Sequence, residues 1–438
     1  MKRYSARAAG SLVLFALASF CHPAPSVAQT LTTLATFDGA NKPPLGGGPN
    51  AQLVQASDGN FYGTTQTGCC GYGNVFKITS SGTVTSLHNF CSVSPSFCAD
   101  GSMPVGGLVQ GSDGNLYGVT AGGGDQKQSA GTIFKITTGG SLTTLYTFCT
   151  NQQSPCPDGK APTGGLVQGP DGNFYGTTHS GGAYSSGTAF KITPGGTLTT
   201  LHAFCQSSVP CTDGSEPNGG LIVGSDGNFY GTGYFGGANS SGNVFVMTPA
   251  GAVTTLYSFP LHDATGALFP DGENPNGGLV QGSDGSFYGT TQSGGQSGGG
   301  TVFKITSNGQ LTTIYNFCSA AGGTCADGKI PNGGLVQVSG GGFYGTTQQG
   351  GSAGNNSGTV FQITSGGTLT TVHNFCSQNG QSYCADGGDP SAGLTKGSDG
   401  NLYGTTNGGG REATHRAQSS SCRPQQAQDS LARIQLPP

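Results

Sequence analysis

Gly106-Gly107-Leu108-Val109-Gln110-Gly111-Ser112-Asp113-Gly114-Asn115-Leu116-Tyr117-Gly118 is the stretch on which the fold turns. Two short apolar runs flank Ser112-Asp113-Gly114-Asn115, and Asp-Gly and Gly-Asn tolerate the positive φ of a tight hairpin. The first run, around Leu108 to Gln110, is a strand A, and the second, around Leu116 to Gly118, is a strand B. Downstream, Thr132-Ile133-Phe134-Lys135-Ile136-Thr137 reads as a strand C, and Gly139-Gly140 turns it into a strand D from Leu142 to Phe148. Two hairpins in succession give an up-and-down four-stranded antiparallel sheet, the blade of a β-propeller.

The same unit recurs along the chain. Its second-strand tyrosines fall at Tyr62, Tyr117, Tyr175, Tyr230, Tyr288, Tyr344 and Tyr403, at spacings of 55 to 59 residues. A period of this length marks a repeated supersecondary unit. A β-helix has shorter rungs and lacks paired hairpin turns. Adjacent apolar residues such as Phe61-Tyr62 and Val75-Phe76 suit strands packed on both faces, as blades are, better than strict alternation does. The 23 Phe and 15 Tyr can fill the layers between blades, while the lack of tryptophan disfavours propellers built on Trp docking motifs.

Six units are complete. A seventh begins at Gly393-Leu394 and runs through its B strand to Thr406, and the chain upstream of the first unit carries a lone D strand, Leu31 to Phe37. Pairing that D strand with the last A and B strands closes a ring and removes the open sheet edges. The expectation is a seven-bladed all-β propeller closed by its N-terminal strand. After Gly408-Gly409-Gly410 the expected strand C is missing. A tail with Arg411, Arg416, Arg423 and Arg433 follows, although no arginine lies between Arg7 and Arg411. A shifted reading frame or a disordered tail would explain that break. The chain divides into 1–28, a signal peptide, 29–410, the propeller, and 411–438, the tail.

Lys2, Arg3 and Arg7 precede an apolar run from Leu12 to Phe20, and Ser26-Val27-Ala28 puts small residues before a cleavage site at Gln29. Lipidation at Cys21 is disfavoured by bulky Phe20. No later stretch is long and apolar enough to span a membrane. Glycine makes up 83 of 438 residues and charged residues only 8%, with a net charge of −4. Neither a collagen period nor a basic footprint for nucleic acid is present.

Five cysteine pairs, Cys91/Cys98, Cys149/Cys156, Cys205/Cys211, Cys318/Cys325 and Cys376/Cys384, each follow a Phe that ends a strand D. The linker after Phe259 has Pro260 and Phe269 in their place, and the linker after Phe37 also lacks both cysteines. Positions present together or missing together across internal copies are explained by bonding to each other, as befits an oxidising compartment. A metal site would need further ligands at fixed spacing. Cys69-Cys70 has no counterpart in other repeats.

The recurring G-G-L-V-Q-G-S-D-G-N-F-Y-G-T-T, G-T-V-F-K-I-T and L-T-T-L-x-x-F segments resemble the GloVer tandem-repeat family, secreted bacterial proteins whose members end in different surface anchors. The resemblance covers residues 31 to 410. It implies an extracytoplasmic repeat protein with a propeller-like fold and no particular reaction. This chain departs from the pattern at its end, where an anchor belongs.

Carboxylates at Asp58, Asp113, Asp171, Asp226, Asp284 and Asp399 sit in A–B turns, where Asp bonds its own backbone. Asp100, Asp158, Asp213, Asp271, Asp327 and Asp386 occupy the Asp-Gly of the linkers and could also collect calcium, with Glu216, Glu273 and Asp389 as further acids. His88, His202 and His373 share a strand-D position with Tyr146, Tyr257 and Tyr315, an interchange that reads as a surface role. His179 lies in a B–C loop with no partner acid evident. Glycine runs such as Gly122-Gly123-Gly124 lack the Lys-Ser/Thr of a phosphate loop.

A–B and C–D turns lie on one face of the disc, and the long B–C loops and D–A linkers lie on the other. Binding residues concentrate on loops held by a rigid scaffold. The candidate ligand-binding residues on that face are Gln66, His179, Tyr184, Tyr234, Phe235, Gln292, Gln348 and Asn407, with Ala121 at the same position in the second unit. Amides beside aromatic rings suit hydroxyl-rich ligands. Gln55, Gln110, Gln168, Gln281 and Gln337, with Val223 and Lys396 in the two other units, are expected to line the central channel as a ring of amides holding a small ligand or water.

The sequence therefore predicts a secreted or cell-surface, monomeric binding or display module for extracellular polysaccharide or a surface protein. It predicts no nucleic-acid partner, no membrane span, no catalytic set and no cofactor beyond the calcium considered above. A propeller enzyme acting on a glycan and a structural adhesive protein are the alternatives.

Overall fold

The computed structural model describes residues 30–37, 46–67, 71–92, 98–124, 129–150, 155–206, 210–261, 269–319, 325–352, 356–376, 384, 386–408 and 429–436. Residues 1–28, where a signal peptide is expected, with Cys21, the Cys69-Cys70 pair and residues 411–428 lie outside them. The described residues form seven four-stranded antiparallel sheets and no helix. No helix among them is long and apolar enough to cross a membrane. The sheets are the blades of a seven-bladed β-propeller. Blade 1 consists of Val54–Gln55, Phe61–Thr65, Asn74–Ile78 and Val84–Asn89, strands A to D in that order. Blades 2 to 6 span 109–147, 167–203, 222–258, 280–316 and 336–374.

Strand B is buried along its whole length in blades 1 to 6, because both of its faces pack on neighbours. In blades 2 to 5 its tyrosine packs on the next blade's strand-B phenylalanine. Ring centroids are 4.0 Å apart for Tyr117 and Phe174, 4.0 Å for Tyr175 and Phe229, and 3.9 Å for Tyr230 and Phe287. In blades 1 to 6 the glycine after the tyrosine faces the strand-C phenylalanine: a Cβ on Gly63 would fall 2.6 Å from Phe76 Cζ. Only glycine leaves room for that ring.

Each turn aspartate ties its hairpin to this core. Asp113 Oδ1 accepts the Asn115 N–H at 3.1 Å, and Oδ2 accepts the Tyr117 hydroxyl at 2.8 Å. The bond from the tyrosine hydroxyl recurs at Asp58, Asp171, Asp226, Asp284 and Asp399. Burial pushes the Asp113 carboxyl up, but the bonds from Asn115 and Tyr117 outweigh it and hold the group below its ordinary range.

The strand-A glutamines correct one expectation. They do not line the axial cavity. Each turns to the preceding blade, where Gln110 Oε1 accepts the Ser57 N–H at 2.8 Å and Gln168 Oε1 accepts that of Ser112 at 3.0 Å. Gln281, Gln337 and Gln55 hold Ser225, Ser283 and Ser398 in the same way. One of the two breaks in this series, at Val223 and Lys396, has a structural reason. Val223 replaces the glutamine after the blade whose turn has Pro170, a residue without an N–H to offer.

The strand-D histidines and tyrosines are likewise not surface ornaments. His88 Nε2 lies 2.8 Å from Asp100 Oδ2, and Tyr146 donates to Asp158 at 2.9 Å. His202, Tyr257, Tyr315 and His373 engage Asp213, Asp271, Asp327 and Asp386 in turn. A phenolic hydroxyl and an imidazole N–H both donate, which is why they interchange. The linker aspartates also accept backbone N–H groups from Cys91, Cys149, Cys205, Cys318 and Cys376.

All five expected disulfides are formed: Cys91–Cys98, Cys149–Cys156, Cys205–Cys211, Cys318–Cys325 and Cys376–Cys384. The second cysteine of each pair does more than close the loop. The carbonyls of Cys98, Cys156, Cys211, Cys325 and Cys384 each accept the N–H of the glycine three residues on, which shapes the Asp-Gly turn of the linker. Where the fifth linker has Phe269 instead, its φ of 49° matches the 43° of Cys98, and Gly272 donates to Phe269 as Gly101 does to Cys98.

Blade 7 holds the main departure from expectation. Its sheet order is Thr395–Lys396, Leu402–Thr406, Asp429–Gln435, Thr30–Phe37. The tail supplies the third strand, so the N-terminal strand pairs with the tail and not with the last B strand. Ser430-Leu431-Ala432-Arg433-Ile434 takes the register of Asn74-Val75-Phe76-Lys77-Ile78: Ala432 faces Gly404 as Phe76 faces Gly63, and Arg433 faces Tyr403 as Lys77 faces Tyr62. Against blade 1, Thr405 Oγ1 donates to Pro49 O at 2.8 Å, and Phe61 packs on Tyr403 at 4.1 Å.

Candidate functional site

The loop face is built by a repeated backbone device. Each linker ends in an X-Pro dipeptide whose X residue has a left-handed backbone: φ is 53° at Met103, 53° at Ala161, 51° at Glu216, 55° at Asn274, 58° at Ile330 and 53° at Asp389. Such values are uncommon outside glycine. They persist here because both backbone groups of X are engaged. The N–H of Glu216 donates to Ser186 O of the preceding blade, and its carbonyl accepts the N–H of Tyr234, the first residue of its own B–C loop. The same two bonds recur at Met103, Ala161, Asn274, Ile330 and Asp389. Linker and B–C loop are thereby locked side by side around the axis.

Side chains then connect one blade to the next. His179 of blade 3 reaches blade 4, with Nδ1 2.9 Å from Asn218 Oδ1 and Nε2 3.7 Å from Glu216 Oε2. This contact holds the ring by Nδ1 and turns Nε2 toward the carboxylate. Tyr234 of blade 4 reaches blade 5 and donates to Gln292 Oε1 at 2.7 Å. Burial raises the Tyr234 pKa, and the charges of Glu273 and Glu216 raise it further. Glu273 is itself pushed up by burial, against a hydrogen bond from Ser293. Phe235 stands edge-on to Tyr234 at 4.7 Å. Phe235 is 41% exposed, and Tyr184 is 50% exposed.

Five of the eight sequence-predicted residues, His179, Tyr184, Tyr234, Phe235 and Gln292, thus fall on the consecutive blades 3 to 5. The other three lie elsewhere around the axis. Gln66 accepts from Asn50 at 2.7 Å, Gln348 accepts from Asn332 at 2.7 Å, and Asn407 donates to Asn50 and Ser391. Ala121 occupies the same position in blade 2 without a polar side chain. Sequence reasoning missed two things. Glu216 is the acid partner of His179. Residues that precede a Gly-Gly pair, Thr163, Asn218, Asn276 and Asn332, form much of the polar rim of the axial cavity. The recurring Pro-Asn-Gly-Gly of the linkers was the available signal.

Among the described residues no group of three or more His, Cys, Asp or Glu is arranged to hold a metal ion. The loop face offers instead carboxylates, amides and an oriented imidazole beside two exposed rings. Those groups can accept and donate to a ligand rich in hydroxyls while the rings cover its apolar faces.

A family model described as the Gloeobacter/Verrucomicrobia repeat matches residues 22–156, 91–269, 151–326 and 261–415. No curated protein matches the chain. Solved structures match it at low identity. A Thermus thermophilus protein described as a putative oxidoreductase (glucose dehydrogenase) is 15% identical, with a TM-score of 0.41, over 76% of this chain and 96% of its own. A polysaccharide lyase, the ulvan lyase of family PL25, is 11% identical, with a TM-score of 0.42, over 74% of this chain and 84% of its own.

Proposed function

This chain belongs to the Gloeobacter/Verrucomicrobia repeat family, and we propose that its propeller is an exported binding module that takes extracellular polysaccharide on the loop face of blades 3 to 5. One observation carries the reading. Among the described residues both exposed aromatic side chains, Tyr184 and Phe235, lie in one sector of the ring, on blades 3 and 4. Blades 3 and 4 replace the Gln-Ser-Gly-Gly of blade 5 with His179-Ser180-Gly181-Gly182 and Tyr234-Phe235-Gly236-Gly237, and the linkers of blades 4 and 5 carry Glu216 and Glu273. Among the described residues, three of the four exposed large apolar side chains, Tyr184, Phe235 and Leu261, lie in the same sector. The backbone device that builds the loop face recurs in every blade, so it does not explain a one-sided pair of exposed aromatics. A ligand contacting one side of the ring does.

The signal-like N-terminus and the five disulfides support export. A second reading, turnover of the bound glycan, is favoured by the oriented His179 and its carboxylate neighbour, the arrangement a general acid–base pair needs. Both readings are tested in one experiment. The oxidised protein is incubated with insoluble and soluble polysaccharides, and retention and new reducing ends are measured. Retention that falls at least tenfold in Tyr184→Ala/Phe235→Ala supports the binding site, and unchanged retention removes it. New reducing ends that vanish in Glu216→Gln promote the enzyme.

A further inference from the structure

The axis of the ring encloses a cavity of about 320 Å³, at the lower end of the roughly 300–1,000 Å³ typical of small-molecule sites. Its wall is the seven Gly-Gly-Leu segments and their variants. Glycine is required there because the strand starts approach one another closely: a Cβ on Gly278 would fall 2.7 Å from Gly219 O. Its rim is polar in six blades, with Asn50, Thr163, Asn218, Asn276, Asn332 and Ser391, and carries Val105 in blade 2. No lining side chain among the described residues is charged.

The rim is not uniformly satisfied. Asn50 and Asn332 have both ends of their amides engaged by neighbours. In Asn218 the oxygen accepts from Thr163 at 3.1 Å and lies 2.9 Å from His179 Nδ1, while its nitrogen donates to no group among the described residues. In Asn276 the nitrogen makes a long 3.5 Å contact to Asn332, and its oxygen accepts nothing among the described residues. An open donor and an open acceptor therefore stand on neighbouring blades 4 and 5. Asn218 is the residue that bonds His179, so the cavity mouth is continuous with the sector described above.

We propose that the axial cavity is a subsite for a single uncharged sugar unit, which makes the module a reader of chain ends or branch tips. The proposal rests on the glycan reading of the loop face. The uncharged lining disfavours uronic acids and amino sugars, whose charge would be desolvated with no counter-charge. The open amide groups match vicinal hydroxyls, one donating and one accepting. A closed ring of strands admits a terminal unit, but it cannot pass the middle of a linear chain.

The test is saturation-transfer NMR with the methyl glycosides of glucose, galactose and xylose, compared with glucuronate and glucosamine. At least one neutral glycoside should bind and the charged sugars should not. Gly107→Gln should weaken that binding at least tenfold. The equivalent residue of blade 1 is already Gln52, bonded to Leu394 O at 2.7 Å, and a Cβ on Gly107 meets only Gln52 O, at 3.3 Å, so the fold accepts the change. Asn276→Ala, which loses only the long contact to Asn332, should weaken it as well. Binding of the charged sugars alone, or neutral binding unaffected by both variants, overturns the proposal. Polysaccharide retention without any glycoside binding overturns the cavity subsite and leaves the sector reading standing. Failure of both polymer and glycoside overturns the two together.

Discussion

Ala432→Phe should stabilise the protein. In blades 1 to 6 the third strand carries a phenylalanine, Phe76, Phe134, Phe190, Phe245, Phe303 or Phe361, each fully buried. In blade 7 the same register position is Ala432, facing Gly404. A Cβ on Gly404 would meet nothing within 4 Å except Leu394, whereas one on Gly63 would strike the Phe76 ring. Phe317 of blade 5 packs edge-on against Phe361 of blade 6 at 5.2 Å, but Ala432 gives Phe375 of blade 6 no such ring to meet on blade 7. The space beside Gly404 is thus not filled by a ring, and the strand that should fill it is held by smaller side chains. Removing a core phenylalanine costs about 3–5 kcal/mol. The reverse change recovers less, since neighbours have settled around alanine, and about 2 kcal/mol is expected. The assay is the guanidinium midpoint, read together with hydrogen exchange of the 430–434 amides. A higher midpoint with slower exchange is the predicted outcome. A lower midpoint, or no change in exchange, would mean that the tail does not sit in this register, and the argument for a complete seventh blade would fail.

Pro170→Ser and Val223→Gln should each do little alone, while together they build the missing interblade hydrogen bond. A double-mutant cycle should show favourable coupling of about 0.5–1.5 kcal/mol, and zero coupling would contradict the pairing drawn from the other blades. Cys318→Ser/Cys325→Ser should cost no more than roughly 2–3 kcal/mol for so short a loop and should leave the linker shape intact, as Phe269 does; a fold lost in urea series at neutral pH would refute this. Burial raises Asp100 and Asp213, but bonds from His88, His202 and backbone N–H groups leave both carboxyls lowered, and the six turn aspartates are lowered as well. Their stabilisation is present above the ordinary carboxylate pKa of about 4 and is lost as pH falls through their depressed values. Glu273 and Asp389, raised by burial, act in the opposite sense but are two against eight. Denaturant midpoints should therefore drop in acid, and Asp113→Asn should flatten that drop; a midpoint independent of pH would contradict the hydrogen-bond roles assigned to these residues.

Most of the propeller could be read from sequence because its determinants are local. A Ser-Asp-Gly-Asn turn, a tyrosine four residues after its aspartate and a glycine facing a phenylalanine all lie within one unit. The disulfides were legible for the same reason, since Cys149 and Cys156, or Cys205 and Cys211, are separated by only a few residues of one linker. The strand that was missed lost the residue that marks it. Ser430, Leu431, Arg433 and Ile434 keep the hydroxyl, the aliphatic, the cation and the isoleucine of the motif, but Ala432 drops its phenylalanine. The glutamine ring was misplaced for a different reason, since Gln110 finds its partner 53 residues away, on the preceding blade. The candidate site shows the same limit. His179 was legible as an unusual loop residue, yet Glu216 and Asn218 meet it only because the ring brings blade 4 beside blade 3.

Binding on one side of a nearly seven-fold ring is the central claim, and it is tested most directly by retention of the oxidised protein on immobilised polysaccharides, compared between wild type and two double variants. Tyr184→Ala/Phe235→Ala removes the exposed rings of blades 3 and 4, and Gln66→Ala/Gln348→Ala alters amides on blades 1 and 6. Retention abolished by the first and largely kept by the second is the predicted result. Equal losses in both, or retention that survives the first, would contradict it.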